Sequence, residues 1–136
     1  MSFFHFLKTI KEVEEILCVD IDDNTLERFA CRIMPSTSDF LSRRETPLNV
    51  KVLKGSVSEW DSRLKDTNVV VAIELIEHLF PDTLEQLPYS IFGIIQPDIA
   101  LFTTPNADFN VLFPNFTGFR HDDHKFEWSR QQFIDW

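Results

Sequence analysis

The sequence predicts an α/β fold with a mostly parallel sheet. Short apolar, β-branched runs recur along the chain, and segments with helical periodicity or capping residues separate them. Polar, potentially ligand-binding residues follow several of those runs, where an open α/β sheet places its chemistry.

Taken in order, residues 3–15 read as a short amphipathic helix. Ile16–Ile21 is apolar and ends in acids, so it reads as a strand. Asp23 or Asn24 can cap a helix through Thr25–Ile33, which Pro35 stops. Asn49–Leu53 alternates and ends at Gly55, giving a second strand. Val69–Ile73 is a third, an unbroken apolar run suited to a buried parallel strand. Asp82–Leu87 opens a helical stretch toward Ile95, its regularity limited by Pro88 and Gly93. Pro97–Thr103 is a fourth strand, closed by Pro105-Asn106. Trp128–Asp135 begins a further helix with Ser129 as its cap. Strands alternating with helices imply βαβ units with right-handed crossovers, hence a Rossmann-like arrangement.

The length of 136 residues fits one domain, 1–136, and 43% hydrophobic residues with 14 Phe supply a core. A net charge of −9 argues against broad, nonspecific nucleic-acid binding while leaving room for a local basic groove. Two cysteines make no disulfide framework; Cys18 in a strand and Cys31 in a helix read as small core residues of a reducing compartment. No run reaches the ~20 apolar residues of a membrane span. The apolar opening Met1–Leu7 lacks a basic leader and is a poor signal peptide. A cytoplasmic protein is expected.

The densest chemistry is Glu74-Leu-Ile-Glu77-His78, directly after the third strand. A helix starting at Glu74 would bring Glu74, Glu77 and His78 to one face, at i, i+3 and i+4. Like-charged carboxylates at a sheet edge repel unless a cation neutralises them, so the pattern points to a metal; a solvated helix face is the plainer alternative. His121-Asp-Asp-His124-Lys-Phe-Glu-Trp128 can supply a further ligand, with Phe126 and Trp128 as core anchors. At the first strand's end, Asp20 can accept both hydroxyls of a nucleoside ribose, or it simply ends the strand. Gly55-Ser56 can approach an adenine edge, or it is an ordinary turn. Asn106 is expected to serve its own turn.

Glu74-Leu-Ile-Glu-His-Leu79, Thr104-Pro-Asn106 and Asp123-His-Lys-Phe-Glu-Trp128 together resemble the small-RNA 2′-O-methyltransferases, which methylate the 3′-terminal ribose of piRNAs and related RNAs. The likeness runs in order from about Ile16 to the last residue. It implies the Rossmann-like S-adenosylmethionine-dependent methyltransferase fold, and a divalent metal, Mg²⁺ or Mn²⁺, on Glu74, Glu77, His78 and His124. It selects His124 over His121 and matches Asp20 to the cofactor's ribose and Ser56 to its adenine. It also implies the 3′ end of a small single-stranded RNA as substrate and Argonaute or Piwi-type proteins as presenters. Zinc is a competing metal, and a metal-dependent hydrolase a competing use of the same ligands.

The likeness has departures. Such enzymes open with a strand and a glycine-rich cofactor turn, yet no glycine precedes Gly55. The first strand and the closing C-terminal strands are expected to be missing, leaving a partial domain. A catalytically silent metal- and RNA-end-binding protein is therefore the alternative to an active enzyme.

Overall fold

The computed structural model describes residues 2–136. Met1, part of the apolar opening, lies outside the described residues. The chain falls into two compact units, Met1–Ser56 and Val57–Trp136.

The first unit runs α1 (Ser2–Thr9), β1 (Glu15–Asp20), α2 (Asp23–Arg32), α3 (Thr37–Leu41) and β2 (Asn49–Lys54). β1 and β2 pair in parallel from Glu15↔Asn49 to Asp20↔Lys54. The expected 3–15 helix stops at Thr9. Beyond it, the Arg44 guanidinium donates to the carbonyls of Lys8, Ile10, Lys11 and Val13. Those carbonyls accept from a side chain in a turn, where a continuing helix would have paired them. The cap of α2 is Asp22, one residue before the expected Asp23 or Asn24: its carboxylate accepts from the N–H groups of Asn24 and Thr25. Hydrogen bonds from the Thr25 hydroxyl and N–H hold the Asp22 carboxyl below its usual range. Phe4 and Leu26 are buried, and Phe4 meets Phe29 edge-on at 5.4 Å, joining α1 to α2. Cys18 is partly buried, and burial pushes its thiol up to about 11. Cys31 is helical but exposed, which corrects its reading as a core residue. It falls on the face of α2 turned from Leu26, where nothing covers so small a side chain.

The second unit holds β3 (Val69–Ile73) and β4 (Ile99–Thr103), parallel from Val69↔Ile99 to Ile73↔Thr103. α4 (Pro81–Pro88) runs into a π-helix, Tyr89–Ile95. Pro88 has no N–H to continue the α ladder, and the wider winding takes over. Its bond from Gln96 N–H to the Ile91 carbonyl spans five residues, and Gln96, at φ 54°, ends the run. Ile76, Leu84, Leu87 and Ile91 form the buried core, with Val70, Ala100, Phe102, Phe126, Trp128 and Phe133 among the residues packed on it. Phe126 and Trp128 stack at 4.2 Å and anchor the 121–128 segment as expected. α5 (Arg130–Asp135) starts from Ser129, which forms a capping box with Gln132. No helix among the described residues is long and apolar enough to cross a membrane.

Candidate metal centre

The segment after β3 is not the helix expected from Glu74. The Glu74 N–H bonds to the Thr103 carbonyl at 3.0 Å, prolonging the β3–β4 ladder, and Glu74 takes a left-handed φ of 50°. Ile76–His78 is a single 3₁₀ turn, and the α-helix begins only at Pro81. A helix running from Glu74 would place Pro81 in its interior, where the ring clashes with the carbonyl of Glu77, four residues back. Pro81 suits the first helical position instead.

Consequently Glu74, Glu77 and His78 do not share a helical face. Glu74 is exposed, and its carboxylate accepts from the Thr103 hydroxyl at 3.1 Å. Glu77 is fully buried, and neither carboxylate oxygen has a hydrogen-bond partner among the described residues. His78 is half-buried.

The Glu77 carbonyl, freed from any helix, accepts the Lys125 N–H at 2.7 Å. This bond holds the 121–128 segment against the 3₁₀ turn and brings His124 to His78, with ring centroids 4.8 Å apart. His121 joins them, 5.9 Å from His78 and 5.6 Å from His124. One nitrogen from each of the three rings lies within 4.8 Å of the others. Glu74 and Glu77 are not in that group, whereas His121, which the family resemblance passed over, is.

Two carboxylates hold two of the rings. His78 Nδ1 meets Asp123 Oδ2 at 3.0 Å, and His124 Nδ1 meets Glu127 Oε1 at 2.7 Å. The Lys125 ammonium, and then His78, keep the Asp123 carboxyl below its usual range. Burial pushes the Glu127 carboxyl up, but hydrogen bonds from Asn110, the Arg120 N–H and His124 together outweigh it, and the net shift is downward. An ionised carboxylate only accepts, so each Nδ1 is the donor, and in the neutral rings each Nε2 keeps its lone pair, the form a metal takes. His121 is the reverse: its Nδ1 accepts the Asp123 N–H at 3.1 Å.

Neither Asp123 nor Glu127 was singled out from sequence. The spacing His124-Lys-Phe-Glu127 was the available signal, since three residues suffice to fold a carboxylate back onto an imidazole. Asn106 serves its turn, accepting the Asp108 N–H at 2.9 Å, and its neighbour Ala107 bonds the Trp128 carbonyl at 2.8 Å. In the first unit, the Gly55 N–H bonds the Asp20 carbonyl at 3.0 Å, so Asp20 and Gly55-Ser56 sit at the same carboxyl end of the β1–β2 pair. Asp20 Oδ1 accepts the Asp22 N–H at 2.9 Å and retains its second oxygen for another partner.

The donor set fits a divalent ion. A buried carboxylate with both oxygens unpartnered is costly without a counter-charge, and the next residue, His78, belongs to a cluster of three imidazoles that offer nitrogen ligands.

No family model matches the chain. It is 46% identical to a small RNA 2′-O-methyltransferase of Drosophila melanogaster over 141 aligned positions, which cover 100% of this chain and 36% of that protein. A protein of the same name from Xenopus tropicalis is 39% identical over 99% of the chain and 37% of its own length. Over nearly all of its length the chain is similar to small-RNA 2′-O-methyltransferases. It spans about a third of the length of these curated relatives. Among solved structures, the methyltransferase domain of bacterial CtHen1 superposes with a TM-score of 0.79 at 26% identity, covering 99% of this chain and 66% of that one. The small RNA methyltransferase HEN1 gives 0.72 at 30% identity over 96% of this chain and 17% of that one. The fold is that of a partial Rossmann-like methyltransferase domain.

Proposed function

We propose that this chain carries the active-site segment of a small-RNA 2′-O-methyltransferase that moves a methyl group from S-adenosylmethionine to the 2′-hydroxyl of the 3′-terminal nucleotide. In this reading Glu74, Glu77, His78 and His124 hold Mg²⁺ or Mn²⁺, and Mn²⁺ suits the two nitrogens better. The observation that carries it is the pairing of an unpartnered, fully buried Glu77 carboxylate with clustered imidazoles on the adjoining residue and on the 121–128 segment. When bound, the ion would supply Lewis acidity to the adjacent 2′ and 3′ hydroxyls of a terminal ribose. The chain's own part is to orient. The Thr103 hydroxyl steadies Glu74, the Glu77 carbonyl positions the 121–128 segment, and Asp123 and Glu127 hold two imidazoles as ligands. Asp20 would accept from the cofactor's ribose hydroxyls, with Ser56 near its adenine. An internal ribose has no free 3′ hydroxyl and would engage only half of such a site, so RNA ends are preferred. The setting is cytoplasmic RNA-mediated silencing, on piRNA-like substrates presented by Argonaute or Piwi-type proteins.

A methyl-transfer assay tests this. With Mn²⁺, a small RNA with free terminal hydroxyls should be labelled and a 3′-blocked RNA should not. Equal labelling of both, or labelling that survives chelation, overturns it. A second reading is metal and RNA-end binding without transfer. Calorimetry with S-adenosylhomocysteine separates the two: micromolar affinity removes the second reading, and no measurable heat of binding favours it.

A further inference from the structure

Glu127 lies outside the ligand set proposed above, yet it is the most constrained acid of the second unit. Its side chain is 1% exposed and that of its partner His124 is 7% exposed, so their 2.7 Å contact is shielded from water. Both of its oxygens are engaged, from different parts of the unit. Oε2 accepts from the Asn110 amide at 2.9 Å, on the 3₁₀ turn after β4, while Oε1 accepts from the Arg120 N–H as well as from His124. The Arg120 side chain closes the network, donating to Asn110 Oδ1 and to the Asn106 carbonyl, each at 2.6 Å. Asp123, the equivalent acid on His78, sits in the open with its side chain 61% exposed.

A buried acceptor of fixed position selects one tautomer of the ring it touches. A carboxylate cannot donate, so a neutral His124 ring must present Nδ1–H to it and leave Nε2 bare. A partly exposed ring held by an exposed acid has water as an alternative partner; His124 does not.

We propose that Glu127 is a positioning residue for His124, fixing its Nδ1–H tautomer and ring orientation before any ion arrives, and that the Asn110–Arg120 network holds Glu127 in place for this task. The purpose of that orientation rests on the metal reading of the preceding section; the tautomer itself does not.

The test uses the whole chain, metal-free and with Mn²⁺ alone. Long-range ¹H–¹⁵N correlation of the histidine rings in the metal-free protein should show His124 with protonated Nδ1 and bare Nε2. Glu127→Gln keeps a carbonyl acceptor at the same place, so the tautomer should persist and Mn²⁺ affinity should fall only several-fold. Glu127→Ala removes the acceptor, so His124 should become a tautomer mixture and Mn²⁺ affinity should fall roughly 10- to 100-fold. The graded rescue by Gln is what a purely structural role would not give, and it decides the matter even if the Ala variant fails to fold. A wild-type His124 protonated on Nε2 overturns the proposal, as does Mn²⁺ binding by a folded Glu127→Ala within about twofold of wild type. If the wild type shows the expected tautomer but binds no Mn²⁺, the metal reading fails and the positioning role stands.

Discussion

The two parallel strand pairs end alike in sequence and differently in structure. The first strand of each closes on acidic residues: Asp20 at the end of β1 with Asp22 just beyond, Glu74 and Glu77 after β3. In the first unit those acids are served by nearby backbone, Asp20 by the Asp22 N–H and Asp22 by the first turn of α2. In the second, the Glu77 carboxylate is buried with no hydrogen-bond partner among the described residues, while three imidazoles, one of them on the next residue, cluster together. An acid at a strand end is thus not informative by itself. What distinguishes a stop signal from a candidate centre is whether the fold satisfies the group it buries.

Substitutions at the two ends should separate cleanly. His124→Ala should abolish specific Mn²⁺ binding while Asp20→Ala leaves it unchanged and weakens only S-adenosylhomocysteine binding; calorimetry on both variants checks this, and a loss of Mn²⁺ binding in Asp20→Ala would break the division. Glu77→Leu should also lose Mn²⁺ binding yet raise metal-free stability, by about 1–4 kcal/mol, because an unpaired buried carboxylate is replaced by an apolar side chain of similar volume. Denaturant melts measure it. Asp22→Ala should have the opposite sign, lowering the melting temperature by removing the α2 cap. The two opposed signs are the sharpest form of the contrast.

The smallest effect concerns Asp39, which binds Lys8 and caps α3 through Ser36. Those partners, the Lys8 side chain first, lower its carboxyl from 3.8 to about 2. The folded state therefore holds the proton less tightly than the unfolded chain. The stabilisation is fully present above pH 4 or so and is lost as pH falls through about 2. Asp39→Asn should flatten that part of the acid-unfolding profile.

Much of the fold was legible because it depends on local pattern. Val69–Ile73 is an unbroken β-branched run, and it forms β3 with those bounds. Ser129 three residues before Gln132 marks the α5 cap in the same way. Glu74, Glu77 and His78 have helical spacing, but Pro81, seven residues on, is incompatible with a helix running from Glu74, and a 3₁₀ turn forms instead. Cys31 lies in the helix foreseen, but its exposure depends on what packs against α2 and not on the helix itself. His121 is open as a ligand from its residues and is passed over only by the resemblance; Glu127 needs the fold outright, since only the folded 121–128 segment reveals what it touches.

That return hangs on the bond from the Lys125 N–H to the Glu77 carbonyl. Both partners are main chain, so ordinary replacements at either position leave the clasp untouched, and only Lys125→Pro would delete the donor. The clasp thus leaves the lysine's ammonium to a separate task, the ion pair with Asp123.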